Sequence, residues 1–136
     1  MTEGDREEFL EAFTADGSPL LGMAVLGGVF AEGIDLPGER LLGAMVVGVG
    51  MPMLCLERDV LSRYYEKRYG AGFLYAYQYP GMHKVLQAAG RVIRSETDRG
   101  VALLIDNRYF RGDYAALCPP HWDFDQRGLA DFWGQA

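Results

Sequence analysis

The sequence predicts an α/β domain of three layers, with helices on both faces of a mostly parallel sheet. Two observations carry this. Leu41 to Val49 and Val101 to Ile105 are continuous apolar runs of strand length, and strands buried on both faces read that way rather than as alternating patterns. Between them lie segments with helical spacing, and strands separated by helices are the mark of a parallel sheet. A chain of 136 residues, 49% hydrophobic and 24% charged, is long enough to close one core, so residues 1–136 read as a single domain.

The elements follow in order. Asp5 to Phe13 reads as a short helix with Phe9, Leu10 and Phe13 on one side. Asp16-Gly17-Ser18-Pro19 is a turn. Leu20 to Phe30 is apolar and glycine-rich, like a buried strand running into the loop Glu32 to Glu39. Leu41 to Val49 is a second buried strand, ending at Gly48 and Gly50. Leu56 to Tyr69 is a charged helix closed by Gly70 and Gly72. Tyr75, Tyr77 and Tyr79 alternate before Pro80-Gly81 and read as an extended connection. Met82, Val85, Leu86, Ala89, Val92 and Ile93 then fill one arc of an amphipathic helix. A turn from Ser95 to Gly100, the strand Val101 to Ile105, its polar end Asp106-Asn107-Arg108, and a helix within Asp125 to Trp133 complete the chain.

Charge singles out one of these elements. The chain carries 13 Lys and Arg against 19 Asp and Glu, a net charge of -6, which argues against gripping nucleic acid by bulk electrostatics. Yet Met82 to Arg94 holds Lys84, Arg91 and Arg94 with no carboxylate. His83, Lys84, Gln87, Gly90, Arg91 and Arg94 share the arc opposite the apolar one. Forked guanidiniums suit phosphate oxygens. A cationic face on an acidic body therefore reads as a specific anion site. Gly90 weakens its helix by about 1 kcal/mol relative to Ala, which suggests a close approach there. Ligands of parallel sheets bind beyond the carboxyl ends of the strands. Glu32 to Asp35, the connection after Val49, Asp106 to Arg108 and the arginine helix are thus expected to share one edge. Arg108 also has a plainer reading, as the ion-pair partner of Asp106 or Asp98. The tyrosines between Tyr64 and Tyr79 read as packing residues, although aromatics beside cations can stack bases.

These residues resemble a known family. Gly27-Gly28-Val29-Phe30-Ala31-Glu32-Gly33-Ile34-Asp35 looks like motif V of superfamily 2 helicases of the XPD/DinG type, and Gln87-Ala88-Ala89-Gly90-Arg91-Val92-Ile93-Arg94 looks like their motif VI. Gly48-Val49-Gly50-Met51-Pro52, Asp98-Arg99-Gly100 and Asp106-Asn107-Arg108 are similar too, and the likeness runs from about Glu8 to Pro120. Ala31 departs from the pattern, since relatives often carry Ser or Trp there. The resemblance implies a RecA-like (P-loop NTPase) fold, incomplete here, from the C-terminal one of two motor lobes. It implies that Arg91 and Arg94 reach the terminal phosphates of ATP, one as an arginine finger, and that Gln87 helps sense the phosphate or the attacking water. Gly33 and Asp35, with Glu32 nearby, would link the nucleotide and Mg2+ region to the DNA backbone.

Other expectations follow from what the sequence lacks. It has no G-x-x-x-x-G-K-[ST] loop, its only lysines being Lys67 and Lys84, and no D-E-x-H box. ATP and Mg2+ would therefore be held by an N-terminal helicase lobe, and the chain alone is expected to be inactive. The family's iron-sulfur cluster needs four cysteines, and Cys55 and Cys118 are two, so no cluster is expected here, nor any metal site. Single-stranded DNA is the expected partner of the two-lobed protein. The segment itself is expected as a monomer, or weakly self-associating through the exposed lobe edge. No run of 18 apolar residues and no hydrophobic leader is present, so a cytoplasmic protein with no membrane partner is expected. The alternative function is a non-catalytic anion-binding or protein-interaction module derived from such a lobe.

Overall fold

The computed structural model describes residues 3–28, 36, 38–92, 99–120 and 122. The first helix, α1, spans Glu3–Glu11, and Phe9 meets Phe13 edge-on with centroids 5.4 Å apart. No basic residue lies in its last turn. Arg40, from a single 3-10 turn at Gly38–Arg40, takes that place. Its Nε donates to the Phe13 carbonyl at 2.7 Å and its Nη2 to that of Leu10 at 3.0 Å. A cation thus satisfies carbonyls that a helix end leaves open.

Among the described residues two strands form the sheet. β1 (Gly43–Val47) and β2 (Val101–Ile105) are parallel, in register from Gly43 against Val101 to Val47 against Ile105. The crossover between them contains α2 (Leu56–Tyr69), a π-helical turn (Leu74–Gln78) and α3 (Tyr79–Ala89). After β2 come a 3-10 turn at Asn107–Phe110 and the short α4 (Gly112–Ala115). The core lies between the sheet and α3. Val46, Val49, Met82, Val85, Tyr109 and Tyr114 are buried together, with Leu26, Met51 and Leu104 packed against them. Each such aliphatic side chain contributes about 1.5–3 kcal/mol on leaving water.

The parallel pairing and the bounds of α2 and β2 agree with the sequence. Four expectations do not. Leu20 to Val25 forms no strand and is largely exposed, because no described segment pairs with it. The run Leu41 to Val49 gives a strand of five residues covered on one face only: Val46 is buried, but Met45, Val47 and Ile105 stay 55%, 76% and 50% exposed. Tyr75 to Tyr79 is not extended, since the π turn leads straight into α3 and Pro80 sits in the first turn of that helix, where its missing N–H costs nothing. Finally, α3 ends at Ala89, and Gly90 to Val92 form a turn. The turn expected from Ser95 lies outside the described residues except for Arg99 and Gly100, as does the helix expected within Asp125 to Trp133.

No residue of α2 is fully buried; the half-buried Tyr65 stacks on Tyr75, and polar ties add to that contact. Arg58 Nη1 donates to the Ala76 carbonyl at 3.0 Å, Tyr77 donates to Asp59 Oδ1 at 2.9 Å, and the Gly72 N–H donates to Glu66 Oε2 at 2.7 Å. Gly70 closes the helix at φ 64°, its N–H donating to the Glu66 carbonyl, a left-handed cap that glycine adopts without strain.

Within the described chain nothing but its own helix approaches Gly90, whereas a close backbone approach occurs at Gly81. A Cβ on Gly90 would meet only carbonyls of its own helix, whereas one on Gly81 would lie 2.7 Å from the Val49 carbonyl oxygen and 3.3 Å from Gly50 C and Met51 N. These are backbone atoms and cannot swing aside. Gly81→Ala is expected to destabilise by about 1–3 kcal/mol through this overlap, despite alanine's better helix propensity. A urea midpoint at or above that of the native chain would refute the close-packing argument.

Candidate nucleotide-facing site

The polar face of α3 is laid out as its spacing requires. Met82, Val85 and Ala89 are buried against the sheet, so His83 and Gln87 on the opposite arc are exposed, Lys84 is half-buried, and Arg91 is half-buried in the turn that follows. No acid lies between Tyr79 and Val92 in the sequence. The donors of this face suit an anion with several oxygens. Arg94, Glu32, Gly33 and Asp35 lie outside the described residues.

The start of the motif V-like stretch lies against the helix that leads into the motif VI-like one. Gly27, with φ 81°, passes so close to α3 that a Cβ there would stand 2.9 Å from Lys84 Cδ and Nζ. The first glycine of the motif V stretch is therefore covered by a cation two residues upstream of Leu86, on the helix that carries Gln87. The sequence placed Lys84 on the polar face but offered no sign of its contact with Gly27.

The strand ends are joined as expected. The Gly48 N–H donates to the Ile105 carbonyl at 3.1 Å, and Tyr109 donates to the Gly48 carbonyl at 2.5 Å. Burial, with the Asp106 charge second, pushes the Tyr109 phenol up to about 12. Asp106 caps the following turn: its Oδ1 accepts from Arg108 N and Nε, both at 2.9 Å, and its Oδ2 from Arg108 Nη2 at 2.7 Å. Arg108 thus has the plainer of its two roles. These bonds hold the Asp106 carboxyl down at about 2, the Arg108 side chain acting most.

The sign of that shift gives a prediction. An aspartate whose folded value lies below its unfolded one, about 3.9, stabilises the fold above that unfolded value. The contribution disappears as pH falls from about 4 to about 2. Asp106→Asn should therefore melt below the native chain at neutral pH, with the gap closing over that window. Thermal midpoints recorded down the acid range test it, and a gap of constant size would be inconsistent.

Gln87 and Arg91 do not share the edge formed by these strand ends. Gly81 touches the connection after β1 at the carboxyl ends, whereas a Cβ on Gly100, just before β2, would run into Val92 Cγ1 and lie 3.1 Å from the Leu42 carbonyl oxygen. α3 is therefore antiparallel to both strands, and Arg91 is at their amino ends. From Gly81 to Arg91 the helical rise is about 15 Å. The reason is topological: a helix that feeds a parallel strand must finish where that strand starts.

A parallel pair of strands with an α helix returning across it defines an α/β domain, and the family whose model the chain matches makes it a RecA-like lobe. The chain belongs to the helicase C-terminal domain family, which it matches over residues 1–123, in helicases of the XPD/DinG type. It is 31% identical over 114 residues to a probable ATP-dependent helicase of Methanocaldococcus jannaschii, covering 77% of this chain and 17% of the relative. It is 33% identical over 89 residues to the ATP-dependent DNA helicase DinG of Photobacterium profundum, covering 64% and 13% respectively. With a regulator of telomere elongation helicase 1 homolog of Caenorhabditis briggsae it shares 34% over 96 residues, 64% of this chain and 10% of the relative. The chain thus spans less than a fifth of the length of each of these relatives. Among the described residues no three His, Cys, Asp or Glu gather where they could hold a metal ion.

Proposed function

We propose that this chain is the C-terminal motor lobe of an ATP-dependent DNA helicase and completes a nucleotide site whose phosphate loop and Mg2+ ligands stand on the N-terminal lobe. The observation that carries this reading is the family match together with the acid-free polar face of α3, where Gln87 is exposed, and the turn after it, where Arg91 is half-buried. Bound ATP would supply the phosphoryl group. This chain's residues would position and neutralise it: Arg91 and Arg94 as guanidinium donors to the terminal phosphates, Gln87 as an orienting group for the water. Phosphoryl transfer depends mainly on positioning and charge stabilisation, so such groups suffice without a nucleophile of their own. Glu32, Gly33 and Asp35 would pass the state of the nucleotide site to single-stranded DNA lying across both lobes. The lobe works in the cytoplasm.

Division of labour between lobes makes a direct test possible. The isolated chain should release no phosphate from ATP, with or without single-stranded DNA, while a two-lobed polypeptide containing it should. Turnover by the isolated chain that survives repurification and disappears in Arg94→Ala would overturn the division. An inert two-lobed polypeptide that still binds ATP would favour the non-catalytic module.

A further inference from the structure

The tyrosines of α2 and the π turn are not a sealed core. Tyr65 stacks on Tyr75 with centroids 4.8 Å apart and planes at 21°. Tyr64 meets Tyr65 edge-on at 5.3 Å, Tyr69 lies 5.5 Å from Tyr75, and Tyr79 meets Tyr75 edge-on at 5.2 Å. The result is one continuous ladder of five rings, yet Tyr64 and Tyr69 remain 53% and 56% exposed, and Tyr75 and Tyr79 are exposed as well. Rings that brace one another are held rigid while part of their surface faces water. That is a costly way to leave large aromatic groups unless something covers them.

Two further observations say what would. Beside the end of the ladder lies an open slot of about 610 Å³ lined by Tyr75, Tyr79, His83, Leu86 and Leu117. Its walls are flat rings and apolar side chains, with His83 the polar group at hand and Gln87 one helical turn further on. Charge is the second observation. Glu57 and Asp59 lie earlier on α2, but from Leu61 to Tyr79 the chain, with 13 bases and 19 acids in all, holds three bases (Arg63, Lys67, Arg68) and a single acid, Glu66. That carboxylate accepts the Gly72 N–H. Arg68 lies among the rings, its Nε donating to Tyr69 Oη at 2.9 Å and its Nη1 to Tyr64 Oη at 3.3 Å. Exposed rings interleaved with cations, on a body otherwise acidic, match a polyanion that also presents flat apolar faces.

We propose that the tyrosine ladder from Tyr64 to Tyr79, with the adjoining slot, is a binding surface for single-stranded nucleic acid. Bases stack on the exposed rings and enter the slot, and the backbone runs past Arg63, Lys67 and Arg68. Stacking of this kind is tolerant of sequence and lost in a duplex, whose bases are already stacked. The surface is separate from the motif V and motif VI stretches. The inference rests only on the nucleic-acid half of the proposed function, not on ATP turnover.

The test uses the full 136-residue chain and a fluorescein-labelled oligothymidylate of about 12 nucleotides, followed by anisotropy at about 50 mM and 200 mM salt. Binding is expected at the lower salt and should weaken at the higher. Tyr64→Leu and Tyr79→Leu should each weaken it about tenfold, Tyr64→Phe and Tyr79→Phe by less than about twofold, and a duplex of equal length should bind poorly. Far-ultraviolet circular dichroism checks that the variants fold. Should the leucine variants unfold, photocrosslinking of an iodouracil-substituted oligonucleotide to the native chain decides: adducts on Tyr64, Tyr69 or Tyr79 support the proposal, and adducts elsewhere overturn it. It is equally overturned by absence of binding at low salt, by leucine variants that fold and bind normally, or by equal affinity for duplex. Binding that ignores the tyrosines would remove this surface and leave the motor reading intact. Tyrosine-dependent binding without ATP turnover in a two-lobed protein would do the reverse.

Discussion

In a two-lobed motor that contains this chain, Arg94→Ala is expected to lower ATP turnover by about 10³–10⁵, the range an arginine finger supplies. Arg91→Ala should lower it as well, and the two substitutions should not add, because both guanidiniums serve one transition state. The loss should fall on kcat more than on KM, since a finger acts where charge develops in the transition state. Arg91 is half-buried, so removing it should also cost stability, by about 1 kcal/mol or less. Steady-state kinetics beside a denaturation curve separate the two effects. Equal turnover in native and Arg94→Ala enzymes would remove motif VI from the mechanism.

The largest expected effect on folding is that of Met82→Ala. Met82 is 1% exposed and lies in the cluster that joins α3 to β1 and to the turns after β2. Truncating a buried methionine costs about 2–5 kcal/mol, the spread reflecting how far neighbours collapse into the void. Domains are stable by about 5–15 kcal/mol in total, so this one change could consume much of the margin. Met45→Ala is the internal control: it removes a side chain of similar size from the uncovered face of the same sheet, where Met45 is 55% exposed. Urea denaturation should show a large shift for the first and a small one for the second. Similar shifts would mean that the uncovered face is buried in solution.

What was legible in the sequence was whatever local chemistry decides. Gly70 and the charge order of α2 fixed that helix to the residue, and the apolar run Val101 to Ile105 fixed β2. The buried arc of α3 was readable from spacing, and so the exposure of Gln87 was too. Pairing was not readable. Leu20 to Val25 has strand composition, but a strand exists only against a partner, and composition does not name one. The alternation Tyr75, Tyr77, Tyr79 imitates a strand because a period of two cannot be told from a widened helical turn over five residues. The place of Arg91 was legible too: because β1 and β2 are parallel, the helix between them runs backwards and brings Arg91 to the amino ends of the strands, not to the carboxyl ends where ligands of parallel sheets bind.

The π turn at Leu74–Gln78 has a consequence for chain length. It holds more residues per turn than the α-helix it runs into. Downstream, α3 is pinned where Gly81 presses on the Val49 carbonyl, so its rotation about its own axis is set. Losing one residue from the turn would leave α3 in place and rotate everything before it by about 100°. Tyr75 would swing away from Tyr65, and Arg58 would lose the Ala76 carbonyl. This stretch should therefore accept no change in the number of residues, and few substitutions at its buried side chains Ala76, Tyr77 and Gln78.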